Sequence, residues 1–460
     1  MPAPLEIVIL AAGQGKRMYS DTPKVLHRLG GRALLAHVLD SAQALQPVAV
    51  HVVYGHGGER VREAFPHAQV NWVRQAEQKG TGHAVAQALP AVADRSVVLV
   101  LYGDVPLIRP ETLRNLLSAA GQGSLALLTA ELAEPGAYGR VLRDPAGNVV
   151  RIVEAKDASP AEAAVREVNT GFLAAPSTGL KKWIAGLRNH NAQGEYYLTD
   201  IIAMAVSDGV PIATRIPQDV SEILGINSKQ ELAQVERLYQ RQQAERLMSQ
   251  GVTLRDPARL DVRGELICGR DVMIDVNVVF EGKVVLGDRV QVGPNNIIRN
   301  CTVGADSVIH PNCVIDDASI GADCRIGPFA RIRPATALAD HVHVGNFVEV
   351  KKSEVGEGSK MNHLSYIGDA TVGRHVNIGA GTITCNYDGA NKHRTIIGDN
   401  VFVGSNTALV APVTIGAGAT IGAGSVITRD APAGELTLSR AEQKSRAGWK
   451  RPVKKAKSEK

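Results

Sequence analysis

Between Leu286 and Ile427 an aliphatic residue returns about every six positions, usually followed by glycine. The series runs Leu286, Val292, Ile298, Val303, Ile309, Ile315, Ile320, Ile326, Ile332, Leu338, Val344, Val350, Val355, Met361, Ile367, Val372, Ile378 and Thr384. After a break it resumes at Ile397, Val403, Leu409, Ile415, Ile421 and Ile427. A short fixed period predicts a solenoid, and a hexapeptide period predicts a parallel β-helix with about 18 residues per triangular coil. Strand side chains alternate, so the residue two before each aliphatic also points inward. Those positions hold Val290, Cys301, Cys313, Cys324, Val348, Ser353, Ser359, Ser365, Ala370, Val376, Val401, Ala419 and Ser425. All are small or β-branched, as the inside of a narrow prism requires.

Upstream the pattern is different. Residues 6–10 read as a buried strand running into a glycine loop. Strands are predicted near 48–54, 70–74, 97–102 and 124–130, and helices near 32–45, 57–65, 82–92 and 110–120. Such alternation predicts a mostly parallel sheet with helices on both faces, binding ligands at the carboxyl ends of its strands. The loop after Leu10 and the step Tyr102-Gly103-Asp104 lie at two such ends. From about 138 the pattern turns α+β, with a hairpin turn at Asp144-Pro145-Ala146-Gly147. Ser228 and Glu231 form a capping-box pattern that opens an amphipathic helix, and Gly251 closes it.

Composition adds little to the fold and removes some functions. No apolar run reaches membrane-spanning length, no signal peptide precedes the first strand, and a cytoplasmic protein is expected. The five cysteines show no CxxC spacing, and three fall on inward repeat positions, where reduced thiols are expected. The net charge of +5 is carried by the tail: eight basic residues and one acid lie from Lys444 to Lys460. Such a run reads as a solvated tail, and nothing points to nucleic acid. His341 and His343 stand two apart with no third histidine at ligand spacing, which argues against zinc.

The first chemistry lies in LAAGQGKRM, Leu10 to Met18, followed by Pro23-Lys24. Gly13 and Gly15 let backbone N–H groups approach a phosphate chain, and Lys16, Arg17 and Lys24 can neutralise it. A dinucleotide fingerprint needs glycine where Met18 stands, and a Walker loop needs it where Leu10 stands, so both common phosphate loops are excluded. With Gln75, Gly80-Thr81, Tyr102-Gly103-Asp104, Gly139, Glu154, Asn169 and Asn227 following in order, the stretch resembles the sugar-nucleotide pyrophosphorylase signature. It departs from the wider signature at Lys16, where threonine is usual.

The solenoid offers a second site. Ile332, Val350, Ile367 and Thr384 are 18, 17 and 17 residues apart, so they stack on one face at about 4.8 Å per coil. Arg333 and Lys351 follow inward aliphatics and point outward, one above the other. Adjacent like charges destabilise a sheet unless an anion compensates. Tyr366 lies on the next coil, and His363 falls at the corner leading into that face. Beyond it the period breaks between Thr384 and Ile397, ejecting a loop; in solenoids such insertions map to a binding face.

With this repeat, the chain from about Ile7 to Arg440 is similar to the bacterial bifunctional N-acetylglucosamine-1-phosphate uridylyltransferase/glucosamine-1-phosphate N-acetyltransferase family. The resemblance implies an α/β nucleotidyltransferase domain, Rossmann-like with a mostly parallel sheet, followed by a left-handed parallel β-helix. The expected limits are 1–227, a linker helix 228–251, the β-helix 252–438 and a basic tail 439–460. It implies UTP and N-acetylglucosamine 1-phosphate as substrates at Leu10, Ala11, Ala12, Gly13, Lys24, Gln75, Gly80, Thr81, Tyr102, Gly103, Asp104, Gly139, Glu154, Asn169 and Asn227. Asp104 and Asn227 would hold Mg²⁺, and Arg17 and Lys24 would stabilise the transition state. In the β-helix it implies His363 as general base and glucosamine 1-phosphate at Arg333, Lys351, Tyr366, Asn377 and Lys392. Acetyl-CoA would lie at Ala380, Asn386, Tyr387, Ser405, Ala423 and Arg440. A homotrimer supplying bacterial cell-wall and lipopolysaccharide synthesis is implied as well. Two competing readings are a nucleotidyltransferase whose β-helix only assembles it, and a non-enzymatic scaffold.

Overall fold

A computed structural model describes residues 3–55, 57–120 and 123–454; the end of the basic tail lies outside them. The chain divides into two compact units, Met1–Gln243 and Ala244–Lys460.

Apolar strands buried on both faces build the first unit, as a sheet covered by helices on both sides demands. Its central strand, Leu5–Ala11, lies between Val97–Tyr102 and Ala49–Tyr54, parallel to both. Asn71–Arg74 forms one edge. On the other side Glu167–Pro176 runs antiparallel to Val97–Tyr102 and Leu125–Glu131, and Ile212–Arg215 closes that edge. The strands Gly139–Arg143 and Val149–Val153 pair as the expected hairpin and attach to Glu167–Pro176. Helices Leu34–Gln43, Gly58–Glu63 and Pro110–Ala119 fall within the predicted helical stretches, and Thr81–Ala88 begins one residue before its stretch, 82–92. Leu10 and Tyr102 therefore end neighbouring parallel strands, and the loops that follow them open on the same edge of the sheet.

The second unit is a parallel β-helix. Among the described residues one face is an 11-stranded sheet, and the remaining strands join in a 17-stranded sheet. The register agrees with the hexapeptide series: Ile309, Ile326, Val344, Met361, Ile378, Val403 and Ile421 stack in one column. Ile315, Ile332, Val350 and Ile367 form a second. Every aliphatic of the series is at most 3 % exposed. Cys301, Cys313 and Cys324 lie inside as free thiols. Burial pushes the Cys301 and Cys313 thiols up to about 11, so they stay protonated. The coil starts earlier than the clear repeat, at Thr253–Leu254, and continues to Leu436–Thr437.

The helix Lys229–Ser249 contributes Val235 to a cluster with Met18, Leu29, Leu34, Leu107 and Ile226 of the first unit. Its last turns give Ala244 and Leu247 to the solenoid core. Each coil touches only its neighbours, so packing losses stay local. Ile315→Ala removes a fully buried side chain and is expected to destabilise the second unit by about 2–5 kcal/mol. Thermal unfolding of the solenoid should show that loss, with the unfolding of the first unit unchanged.

Candidate functional sites in the two units

In the first unit a cleft of about 670 Å³ opens where Leu5–Ala11 and Val97–Tyr102 end. Leu10, Ala11, Ala12, Gly13, Lys24, Gln75, Gly80, Thr81, Tyr102, Asp104 and Asn227 line it. The left-handed turn at Gly15 lets the loop fold over Lys24, whose Cβ lies 2.9 Å from where a side chain at 15 would begin. The Ile226 N–H donates to the Asp104 carbonyl at 3.0 Å, which brings Asn227 beside Asp104. Between these two stands the Lys24 ammonium, donating to the Asp104 carboxylate and to Asn227 Oδ1, the latter at 3.0 Å. One carboxylate and one amide oxygen thus already converge on a cation from the chain itself. That donor set also suits a hard divalent ion, which is commonly held by one or two protein oxygens together with substrate phosphates. The predicted capping box is displaced by one residue. Ser228 Oγ accepts from the Glu231 N–H as expected, but Glu231 reaches back to the Asn227 N–H, at 2.6 Å, and so braces Asn227.

Gln75 is buried, its amide donating to the Gly80 carbonyl at 3.3 Å and contacting His83 at 3.0 Å. Gly80 has φ +104, and a side chain there would meet the Tyr196 carbonyl at 2.6 Å, so only glycine fits. Thr81 Oγ1 accepts the Leu198 N–H. Gly139, Glu154 and Asn169 gather deeper along the sheet. Asn169 pairs in register with Gly139, and Glu154 Oε2 lies 3.6 Å from where a side chain on Gly139 would begin. Tyr102 is the wall shared by the cleft and a small pocket lined by Asn169 and Thr199. Burial raises the Glu154 carboxyl above its ordinary value, opposed by a 2.9 Å hydrogen bond from the Thr199 hydroxyl. Burial likewise keeps the Tyr102 phenol protonated, as a donor. Gly103 packs against Ala11 and Leu35. Arg17 is not brought in: it is exposed on the turn Lys16–Met18. Gln14, Gln78 and Glu195 line the cleft without having been singled out. Gln14 and Gln78 meet at 3.4 Å, and no spacing rule points to isolated glutamines.

On the solenoid, strands Arg331–Ile332, Glu349–Lys351 and Tyr366–Gly368 stack on one face. Arg333 is not left uncompensated there: Glu349 accepts from its guanidinium at 2.6 Å. Lys351 instead lies beside Lys392 of the ejected loop. Their proximity holds the Lys392 ammonium below the ordinary lysine range, while Asp369 and Tyr366 pull it up. Asn377 lies on the neighbouring face, paired with Lys360 and Phe402.

His363 ends the strand Lys360–His363, and the chain turns at Leu364, with φ +49, into Tyr366. The ring Nδ1 is 3.0 Å from Asn346 Oδ1, the residue paired with His363 on the preceding coil. Asn346 Oδ1 can only accept, so Nδ1 donates and Nε2 keeps its lone pair. Met361, Ile378, Val403 and Ile421 pair in sequence, so two residues on, His363, Ala380, Ser405 and Ala423 occupy the same corner of successive coils. The Asn406 N–H donates to Ala380 and the Gly424 N–H to Ser405, locking the column. Arg440 closes it, its guanidinium donating to the Ala423 carbonyl at 2.9 Å. A lone-pair-bearing imidazole thus sits one coil from the Ala380 backbone, at the head of a row of small residues. Asn386 and Tyr387 belong to the ejected loop, Asn386 buried and Tyr387 exposed. His341 lies 3.0 Å from the Asp323 carboxylate.

Residues 7–253 match the family model of the MobA-like NTP transferase domain. Residues 262–355 match the GMPPB C-terminal domain, and 394–429 the bacterial transferase hexapeptide (six repeats). Over 98 % of this chain and 100 % of its own length, "Bifunctional protein GlmU" of Azoarcus sp. (strain BH72) is 61 % identical. The protein of that name from Thiobacillus denitrificans (strain ATCC 25259 / T1) is 62 % identical over 98 % of each chain. Among solved structures, a UDP-glucose pyrophosphorylase complexed with UDP-glucose has a TM-score of 0.45 and 14 % identity, covering 52 % of this chain and 99 % of that one.

Proposed function

The chain belongs to the bifunctional GlmU family, and from that membership we propose how its two reactions are divided between the two sites. The solenoid, 252–438, N-acetylates glucosamine 1-phosphate with acetyl-CoA. The sheet domain, 1–227, joins the resulting N-acetylglucosamine 1-phosphate to UTP, giving UDP-N-acetylglucosamine and pyrophosphate. The observation that supports this reading best is the corner column, which puts His363, Ala380, Ser405 and Ala423 in line on a chain that also carries the nucleotide cleft.

In the cleft, a phosphate oxygen of the sugar phosphate attacks the α-phosphorus of UTP and pyrophosphate leaves in line, with no protein nucleophile. The chain's part is to place two polyanions and to screen their repulsion. Backbone N–H groups of the Gly13–Gly15 loop, Lys24 and, by the family resemblance, Arg17 take the triphosphate. Gln75 and Gly80 meet the uracil edge. Glu154 and Asn169 accept from and donate to the sugar hydroxyls. Asp104 and Asn227 would hold Mg²⁺, which when bound neutralises charge developing on the phosphates.

On the solenoid, Arg333, Lys351 and Lys392 take the sugar phosphate, with Tyr366 and Asn377 at the sugar. His363 Nε2 removes a proton from the amine as the nitrogen attacks the thioester carbonyl; the C–S bond then breaks and coenzyme A leaves as the thiol, its sulfur taking that proton back from the imidazolium. The Ala380 N–H, which donates to no group among the described residues, is free for the oxyanion. The coenzyme lies along Ser405, Ala423 and Arg440, with Asn386 and Tyr387 over it. A homotrimer in the cytoplasm completes the proposal. The free cysteines suit a reducing compartment, no described helix is long and apolar enough to cross a membrane, and exposed apolar corners such as Phe329, Phe347 and Leu364 suit packing against copies.

One mixture of glucosamine 1-phosphate, acetyl-CoA, UTP and Mg²⁺ tests the whole scheme when each component is left out in turn. UDP-N-acetylglucosamine should form only with all four present. Product that appears without acetyl-CoA would refute the sequence of steps, whereas N-acetylglucosamine 1-phosphate should accumulate when UTP or Mg²⁺ is omitted.

A further inference from the structure

Asp317, Ala335, Lys352 and Asp369 occupy one corner of successive coils, all at positive φ. Backbone bonds link them, from the Ala335 N–H to Asp317 and from the Asp369 N–H to Lys351. The first three are exposed, as corner residues usually are. Asp369 is only 8 % exposed. The difference comes from the coil above. There the corner is replaced by the ejected segment between Thr384 and Thr395, which lies over Asp369.

Both ends of that loop close on the same residue. At its start, Asn386 Nδ2 donates to the Asp369 carboxylate at 2.6 Å and lies 3.4 Å from the Tyr366 hydroxyl. At its return, the Thr395 N–H donates to the Asp369 carbonyl at 3.2 Å. The His393 N–H closes the ring on the Asn386 carbonyl at 2.8 Å. A carboxylate buried in this way is unfavourable unless bonded and charge-compensated. Here Asn386 bonds it, and Lys352 lies 3.5 Å away, with Lys392 on the loop also within its field. The loop bears Tyr387 and Lys392, and Tyr366 lies beneath it.

We propose that Asp369 is a positioning residue for acetyl transfer: it clasps Asn386, and so holds the loop bearing Tyr387 and Lys392 over the face that carries Tyr366 and Lys351. This rests on the acetyl-transfer reading of that face. Asp369 itself touches no reacting atom; it acts through Asn386.

Full-length Asp369→Ala is expected to lose about 100-fold in acetyl transfer from acetyl-CoA to glucosamine 1-phosphate, the scale set by a reacting geometry misplaced by about 1 Å. Asp369→Asn keeps an acceptor for Asn386 and should recover most of the rate. Asn386→Ala removes this contact together with its own place over the coenzyme and should lose at least as much, and the double variant no more than Asn386→Ala alone, because the contribution of Asp369 runs through Asn386. Hydrogen exchange gives a readout apart from activity. In Asp369→Ala the amides of Asn391, His393 and Thr395 should exchange faster, with those of Val372 and Ile397 still protected. Uridylyl transfer by the same variants should be unchanged and reports that the chain has folded. Additive losses, wild-type acetyl transfer in Asp369→Ala, or protection lost evenly along the solenoid would each overturn the clasp. Should the unsubstituted protein transfer no acetyl group, the functional reading fails, and hydrogen exchange alone decides the clasp.

Discussion

His363→Ala is expected to lower acetyl transfer by about 10²- to 10⁴-fold, the usual contribution of a positioned general base, with uridylyl transfer intact. The geometry makes the size of that loss follow from one atom. Asn346 takes the Nδ1 proton, so Nε2 presents its lone pair. The amine nitrogen must shed a proton as it attacks the thioester, and an imidazole can accept it near neutral pH. The Ala380 backbone, the row of small residues and the phosphate-binding cations remain in the variant. Its residual rate therefore measures orientation and oxyanion stabilisation without a base. The substrate KM should move much less than kcat, because His363 forms no part of the phosphate subsite. Acetyl transfer at the unsubstituted rate would leave the solenoid as an assembly element alone.

The second large effect belongs to the other unit. Asp104→Ala should depress uridylyl transfer by about 10³-fold or more, beyond the loss typical of one electrostatic donor, because it removes the carboxylate proposed to hold the charge-neutralising ion. Acetyl transfer should continue, so N-acetylglucosamine 1-phosphate accumulates in the coupled mixture. Binding of Mn²⁺ in the presence of UTP, followed by its paramagnetic signal, should weaken in parallel. The variant also strands the Lys24 ammonium, which then keeps, among the described residues, only its hydrogen bond to Asn227. Asp104→Asn keeps the shape and one oxygen, and should fall between the two. Metal binding and rate both unchanged in Asp104→Ala would remove this residue from the site.

How much of this was legible in the sequence differs between the two units. The solenoid could be read nearly atom for atom in its interior, because a prism wall repeats one steric demand every six residues. Its first coils escaped the pattern although Val262, Cys268, Ile274 and Phe280 continue the same step back from Leu286. Phe280 is too large for the expected series, and the strands Leu260–Cys268 and Val278–Leu286 run on where later coils break at corners. In the first unit the strand ends and the glycine loop located the cleft. The contact of Lys24 with both Asp104 and Asn227 was not legible, since it joins residues 80 and 203 positions apart. Glu349, the anion that relieves Arg333, was not legible either: it stands in register with Arg331 and reaches Arg333 only across the stacked coils. Asp369 carries no local signal at all: the same acid at the equivalent corner, Asp317, is solvated, and only the loop one coil away changes its surroundings. Residues whose role comes from a neighbour in the fold stay silent in a linear reading.

The corner column has a further consequence. Ala380, Ser405 and Ala423 are successive rungs, and Ser439, beside Arg440, is the next, so the row is three coil steps long, or about 14 Å at the strand spacing. A wall built of equal rungs works as a ruler. If, as proposed, the thioester carbonyl lies at Ala380 and the donor's distal charge at Arg440, the arm between them must have that length. On the proposed acetyl-transfer reading, the number of coils beyond the base sets which acyl donor fits, and deleting the coil that carries Ser405 would bring Arg440 one step nearer to Ala380 and should reject the same donor.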